Sequence, residues 1–239
     1  MIDVILPVYI ITEELLQLTA ATIESLGECH LILIDNGSTM GGGFLRSKAD
    51  VYIRNKENLG YARAVNQGLK LALSSMIAIA NNDIRVSPNW QEVAREAFEE
   101  PRTYSCHFRM TDYDVPFEYG KEIVYTGKER WCTSSFFVLN SQISVDSLFS
   151  YDEHYLNSYD DWDYWFRVRQ AKYRTAYSDK ACYQHHHSTT QKLLPQREEQ
   201  NTKNREYFKH KWGEYPEDLF TRLYPEQMKI PYQEGFAIH

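Results

Sequence analysis

The stretch "MIAIANNDIRVSP", residues 76–88, decides how the chain is read. Met76 to Ala80 run apolar without alternation, the pattern of a strand buried on both faces. The run stops abruptly at Asn81, Asn82 and Asp83. Three polar side chains at the end of a buried strand are costly unless hydrogen bonds or a ligand satisfy them. One reading is local, since Asn and Asp favour turns and Pro88 precedes another helix. The other is chemical: a carboxylate at this edge can hold a divalent cation that bridges to a diphosphate. Asp83 is the sole carboxylate of the three, so a cation here needs phosphate oxygens to complete its shell.

Working outward, the first hundred residues alternate strand and helix. "IDVILPVY" (2–9) reads as a buried strand and "EELLQLTAATIESL" (13–26) as a helix. "HLILID" (30–35) is a second strand, ending in the turn-rich "NGSTMGGG", and "ADVYIRN" (49–55) is a third. A helix over 59–75 places Ala62, Val65, Leu69, Ala72 and Leu73 on one side, and "MIAIA" is the fourth strand. Apolar strands separated by amphipathic helices predict an α/β fold, with a mostly parallel sheet covered on both faces. Ligands of such sheets bind outside the carboxyl ends of the strands. Polar clusters stand at those ends: Asp35-Asn36-Gly37-Ser38 after the second strand, Asn81-Asn82-Asp83 after the fourth.

The pattern is less regular beyond residue 100. "TYSCHFRM" (103–110) and "WCTSSFFVLN" (131–140) read as strands, and residues 160–171 as a short helix opened by acids, as the helix dipole favours. "YRTAYSD" and "ACYQHHH" read as two short strands. Pro195 to Trp212 reads as a polar helix with a solvated face, and the remaining tail as irregular.

Composition narrows the function classes. The chain has 239 residues, enough for one sizeable domain with a proper core. A net charge of −7 argues against nucleic-acid or anionic-membrane binding, which draws on basic surface. Cys29, Cys106, Cys132 and Cys182 are widely spaced with no CxxC pair, which points to reduced thiols rather than a zinc ribbon or a disulfide framework. "MIDVILPVY" carries no signal-peptide pattern, and no apolar run approaches bilayer-spanning length. A soluble, cytoplasmic protein without a transmembrane segment is the expectation.

Three further constellations carry chemistry. "NSYDDWDYWFRVR" (157–169) crowds Asp160, Asp161 and Asp163 at a helix start. Mutual repulsion raises at least one of their pKa values, which suits a general base. His185-His186-His187 on a strand sends the outer two to one face, where imidazole can join a carboxylate on a metal. "NKENLGYARAVNQGLK" (55–70) sets a glycine before a helix N-terminus, a place that favours phosphate, although it matches no standard phosphate-loop spacing.

In this order, "ILPVY", "LILIDNGST", "NKENLGYARAVNQG", "IANNDIRVSPNW", "YDEHYLNSYDDWDYWFRVRQAKYRTAY" and "ACYQH" resemble the family 2 glycosyltransferases and their GT-A fold. "REYFKHKWG" (205–213) resembles a segment that follows the catalytic domain in relatives. The resemblance covers residues 2–188. It implies a catalytic domain over 1–192, with a C-terminal helix and irregular tail over 193–239. It implies that Pro7, Val8 and Tyr9 line the nucleotide, that Asp35 contacts base or ribose, and that Asn58, Gly60, Arg63 and Asn66 form a nucleotide-facing loop and helix. Asn81-Asn82-Asp83 matches the DxD-like motif, with Asp83 on Mn²⁺ or Mg²⁺. Asp160-Asp161 matches the acidic pair, with Asp161 the catalytic base. His185 matches a metal-completing histidine, and His187 is the alternative in this run.

Two departures stand out: Asn81 replaces the first acid of the metal motif, and Asp160 replaces the usual Glu. The resemblance implies inverting transfer from a nucleotide sugar, a UDP-sugar first, to a glycan, lipid-linked or macromolecular acceptor. Trp131, Trp162 and Trp165 are candidates to stack on a sugar ring, with Trp165 read as core. A non-catalytic carbohydrate- or nucleotide-binding module on the same fold is the alternative of another class. A nucleotidyltransferase would carry a Gly-rich basic loop after the first strand, and "PVYIITEEL" (7–15) has none.

Overall fold

A computed structural model describes residues 1–113, 115–126, 135–143, 150–186 and 197–223. The elements follow in chain order as β1 (Asp3–Val8), α1 (Glu13–Leu26), β2 (His30–Asp35), α2 (Gly42–Lys48), β3 (Val51–Arg54), α3 (Tyr61–Leu69), β4 (Met76–Ala80), β5 (Ile84–Val86) and α4 (Trp90–Ala97). β6 (Thr103–Asp112), β7 (Ile123–Thr126), β8 (Phe136–Asn140), α5 (Asp160–Gln170), β9 (Arg174–His185), α6 (Arg197–Trp212) and α7 (Pro216–Leu223) complete the described chain.

The sheet runs β3-β2-β1-β4-β8-β6-β9-β5, with β7 added on β9. Its first four strands are parallel, so Val8, Asp35 and Ala80 end on one edge. β8 runs antiparallel to β4 and β6, whereas β9 is parallel to β6. Alternation along β1 builds both cores. Val4, Leu6 and Val8 face α1 and α4 through Leu15 and Trp90. Ile5 faces α3 and α5 through Val65 and Phe166. The helix side of that second face is close: a Cβ on Gly68 would lie 2.4 Å from Ile5 Cγ2.

Several expectations are corrected. α3 stops at Leu69, and Leu73 is 94% exposed rather than on the core face. The buried Asp3 captures the chain instead, its Oδ2 accepting from the Leu73 and Ser74 amides at 2.6 and 2.8 Å. The turn-rich stretch after β2 leads into α2, whose start at Gly41-Gly42 hides the helix signal. The two short strands are one strand, β9. Its register against β6 jumps from Phe108↔Ser178 to Arg109↔Cys182, because Asp179 leaves to pair with Gly120 and Glu122. The tail read as irregular contains α7, which opens with Pro216, Glu217 and Asp218 and buries Leu219.

α6 is not solvated all round. Asn204 and Phe208 are buried, and Phe208 packs in the same core as Tyr155 and Phe166. The C-terminal helices therefore close the face of the sheet that carries α3 and α5. No helix among the described residues is long and apolar enough to cross a membrane.

Candidate active site

At the end of β2 the Asp35 carboxylate is fully buried and accepts three hydrogen bonds. Tyr52 Oη donates at 2.6 Å and Arg54 Nη1 at 2.7 Å to Oδ2, and the Ser38 amide donates at 2.8 Å to Oδ1. Its oxygens are thus committed to shaping the loop, and the half-exposed Arg54 guanidinium is the group this network presents outward. Beside it, Asn36 joins three segments. Its Nδ2 donates to Asn58 Oδ1 at 2.8 Å, and its Oδ1 accepts from Asn55 Nδ2 at 3.0 Å and the Leu59 amide at 3.1 Å. Asn58 Oδ1 also accepts from the Gly60 amide at 2.9 Å, so Asn58 builds the loop from within.

Gly60 holds φ 89°, and a Cβ there would meet Leu156 Cδ1 at 2.5 Å. α3 starts at this contact, with the Tyr61 amide donating to Asn157 Oδ1 at 3.1 Å. Asn66 is turned toward the segment before α5: its Nδ2 reaches Tyr151 O and Glu153 Oε1, both at 2.9 Å, and its Oδ1 accepts from the Tyr151 amide at 2.8 Å. Arg63 is half-exposed, 3.8 Å from Glu153. Of the first-strand residues, Pro7 is buried, Val8 lies in the core, and Tyr9 stands half-buried at the strand end.

At the end of β4, Asn81 and Asn82 part company. Asn82 turns inward and its Nδ2 donates to Thr19 Oγ1 of α1 at 3.0 Å. The Asn81 amide is held by Ser135 O at 2.8 Å. Asp83 is 5% exposed, and its Oδ1 lies 3.1 Å from Nε2 of His185, the last residue of β9. The next amide, that of His186, donates to Asp83 O at 2.9 Å and fixes this register. Burial opposes ionisation of Asp83, but the hydrogen bond and charge of His185 outweigh it and hold the carboxyl below its usual range. His187 lies outside the described residues.

This pair fits a hard divalent cation. Adjacent ligands on an octahedral ion with bonds of about 2.1 Å stand about 3 Å apart, close to the observed separation. No third His, Cys, Asp or Glu joins them among the described residues. The protein thus offers one carboxylate and one imidazole, and leaves the remaining positions to oxygens from elsewhere.

The acidic pair opens α5. Asn157 and Tyr159 just before it have positive φ, 59° and 62°, a strain of about 1–2 kcal/mol for a residue such as Tyr. That bend points Asp160 inward, where it is 5% exposed, and leaves Asp161 half-exposed. Burial first, and the charge of Asp161 second, push the Asp160 carboxyl up to about 8. Its Oδ2 is sealed from solvent with no hydrogen-bond partner among the described residues. Asp163 is spoken for by Arg167, Lys211 and Trp212 at 2.7–2.9 Å, so only the first two acids remain for chemistry. Trp165 is buried against His107 and Phe137, and Trp162 packs on Phe166 and Phe220; Trp131 lies outside the described residues.

Tyr61, which sequence reasoning passed over, joins the two halves. Its hydroxyl is sealed and has no partner among the described residues. Burial first, then the charges of Asp160, Asp161 and Asp83, raise its pKa well above the ordinary phenol value. One side chain therefore lies within electrostatic range of both Asp83 and the two acids that open α5. Asn157 and Tyr151 were likewise missed. Their roles depend on partners up to about a hundred residues away, which no local motif announces.

No curated protein matches the chain by sequence. Among solved structures, TarS 1–349 from S. aureus in complex with UDP superposes with a TM-score of 0.59 at 18% identity, covering 77% of this chain and 59% of that one. GalNAc-T7 with UDP, GalNAc and Mn²⁺ gives 0.61 at 13% identity, covering 77% and 43%. The Pyrobaculum calidifontis mannosyltransferase PcManGT with GDP-Man and Mn²⁺ gives 0.60 at 15%, covering 77% and 56%. The chain thus matches less than two thirds of the length of each, and the likeness establishes the GT-A type of fold. Residues 3–153, more than half of the sequence, match the family described as Glycosyl transferase family 2, and the chain belongs to that family.

Proposed function

We propose that the protein transfers a sugar from a nucleotide-sugar donor, a UDP-sugar in the first instance, to an acceptor hydroxyl with inversion. What supports this reading is that Asp83, Asp160 and Asp161 all lie within electrostatic range of the buried Tyr61 hydroxyl. Asp161, the more accessible member of the pair, takes the acceptor proton as the hydroxyl attacks the anomeric carbon. Asp83 and His185 hold Mn²⁺ or Mg²⁺, which when bound neutralises charge developing on the departing diphosphate. Arg54, presented by the Asp35 network, and Arg63 at the start of α3 supply positive charge toward the nucleotide side. Structural relatives that hold UDP, GDP-Man and Mn²⁺ support the donor class and the ion.

The test is release of free nucleotide from a panel of UDP- and GDP-sugars with and without Mn²⁺, with a mixture of glycan acceptors. Metal-dependent UDP release that Asp161→Asn abolishes while donor binding persists is the expected result. Donor binding without turnover under any acceptor or ion would favour a binding module instead. Undiminished turnover in Asp161→Asn would remove the assigned base.

A further inference from the structure

Ser135, half-buried just before β8, stands between the turn that carries Asp83 and the strand that carries His185. Its carbonyl accepts from the Asn81 amide at 2.8 Å, two residues before Asp83. Its Oγ lies 3.3 Å from Nδ1 of His185, while Nε2 of the same ring faces Asp83 Oδ1 at 3.1 Å. The main chain of His185 is fixed by strand pairing with Ile84 and by the His186 amide on Asp83 O. These contacts leave rotation about the Cα–Cβ and Cβ–Cγ bonds open. The contacts at Nε2 and Nδ1 set that rotation from two sides of the ring.

A neutral imidazole carries one N–H and one free lone pair. With the proton on Nε2, the ring donates to Asp83 and Nδ1 accepts from the Ser135 hydroxyl. Ligation of a cation through Nε2 requires the other tautomer, with the proton on Nδ1 and an acceptor facing it. Ligating histidines are held in this way by a partner on the second nitrogen. A serine hydroxyl donates or accepts by turning its own hydrogen, so Ser135 serves both tautomers from one position. We propose, resting on the function proposed above, that Ser135 is a positioning residue for His185. Its hydroxyl keeps Nε2 directed at Asp83 and accepts Nδ1–H when a divalent cation is held there. The main-chain tie to Asn81 needs no side chain, so Ser135→Ala removes the hydroxyl contact and leaves that tie in place.

The experiment is a double-mutant cycle read by Mn²⁺ affinity and needs no turnover. Binding is followed through the electron paramagnetic resonance of free Mn²⁺, with the protein alone and with UDP. Ser135→Ala is expected to weaken Mn²⁺ binding about tenfold, and Ser135→Thr, which keeps a hydroxyl, to stay within about twofold of wild type. In a His185→Ala background, Ser135→Ala is expected to change affinity by less than about twofold, because its effect runs through the imidazole. An equal loss in both backgrounds, no loss in Ser135→Ala, or Ser135→Thr as weak as Ser135→Ala overturns the proposal. Where His185→Ala binds too little Mn²⁺ to compare, the threonine variant decides. If Ser135→Ala does not fold, Ser135→Cys, whose thiol is a weak acceptor, takes its place; the same loss is expected, and undiminished binding overturns the proposal. Loss of binding in Asp83→Ala and His185→Ala but not in Ser135→Ala removes Ser135 alone. A wild type that binds no Mn²⁺, with or without UDP, removes the cation from the proposed function and this proposal with it. A wild type that shows the coupling yet releases no nucleotide fails the proposed transfer and leaves the role of Ser135 standing.

Discussion

Asp83 and Asp160 are both buried carboxyls, and their partners send them in opposite directions. Asp83 has an imidazole 3.1 Å away and stays below the usual carboxylate range; Asp160 is pushed up by burial first and by the charge of Asp161 second. A carboxyl whose pKa is depressed by folding stabilises the fold above its unfolded value of 3.8 and loses that contribution as pH falls toward the folded value. Asp3 and Asp152 belong with Asp83 in this respect. Acid unfolding is therefore expected to set in below about pH 4, measured by far-UV circular dichroism, and Asp83→Asn should flatten that limb. For Asp160 the sign reverses: its contribution is full at low pH and is lost as pH rises through about 8. Asp160→Asn should accordingly raise the melting temperature at pH 9 relative to wild type and change it little at pH 5, while turnover falls. Asp83→Ala should weaken donor binding about tenfold or more in Mn²⁺, and by much less in EDTA, as read by calorimetry.

At the scale of elements, the segment before α5 is held from two sides. α3 reaches it through Asn66 and the Tyr61 amide, and α6 through Asn204, Tyr207 and Lys211. Asn204 Nδ2 donates to Leu156 O and Ser158 O at 3.0 Å each, and Lys211 lies 2.7 Å from both Asp152 and Asp163. The two left-handed residues, Asn157 and Tyr159, sit between these clamps, which explains how the backbone strain that aims Asp160 inward is sustained. Asn204→Ala leaves two buried carbonyls without their donor and should destabilise the protein by about 1–3 kcal/mol in urea unfolding. The same variant should lower kcat more than donor affinity, because the clamp acts on the acid pair and not on the metal-type site. Asn66→Ala breaks the opposite clamp and should produce a similar loss. Gly60→Ala, which meets Leu156 and keeps φ 89°, should impair both stability and turnover.

On the scale of the whole molecule, the parallel half was legible because β1, β2 and β4 are continuous apolar runs that end in polar clusters, a pattern readable within a few residues. The polar corner after β4 and the acids that open α5 were likewise readable from local sequence. What escaped were features with nonlocal causes. Leu73 sits on the helical repeat of α3 but is exposed, because Asp3, 70 residues earlier, takes the chain out of the helix. α6 reads as polar all round, yet Phe208 fills the core and Asn204 splices the segment before α5 to the rest. Phe208→Ala should cost about 3–5 kcal/mol, a loss that a solvated C-terminal appendage would not show. By itself the sequence determined the strand–helix order and the polar side chains that stand at the carboxyl edge of the sheet, since these follow from local periodicity and side-chain chemistry. Only the tertiary structure decided that Asp35 is enclosed, that Asn66 and Asn82 face inward, that His185 meets Asp83, and that Tyr61 lies within electrostatic range of Asp83, Asp160 and Asp161. Each of those outcomes depends on which distant group supplies the hydrogen bond or the burial, and that is settled only when the chain has packed.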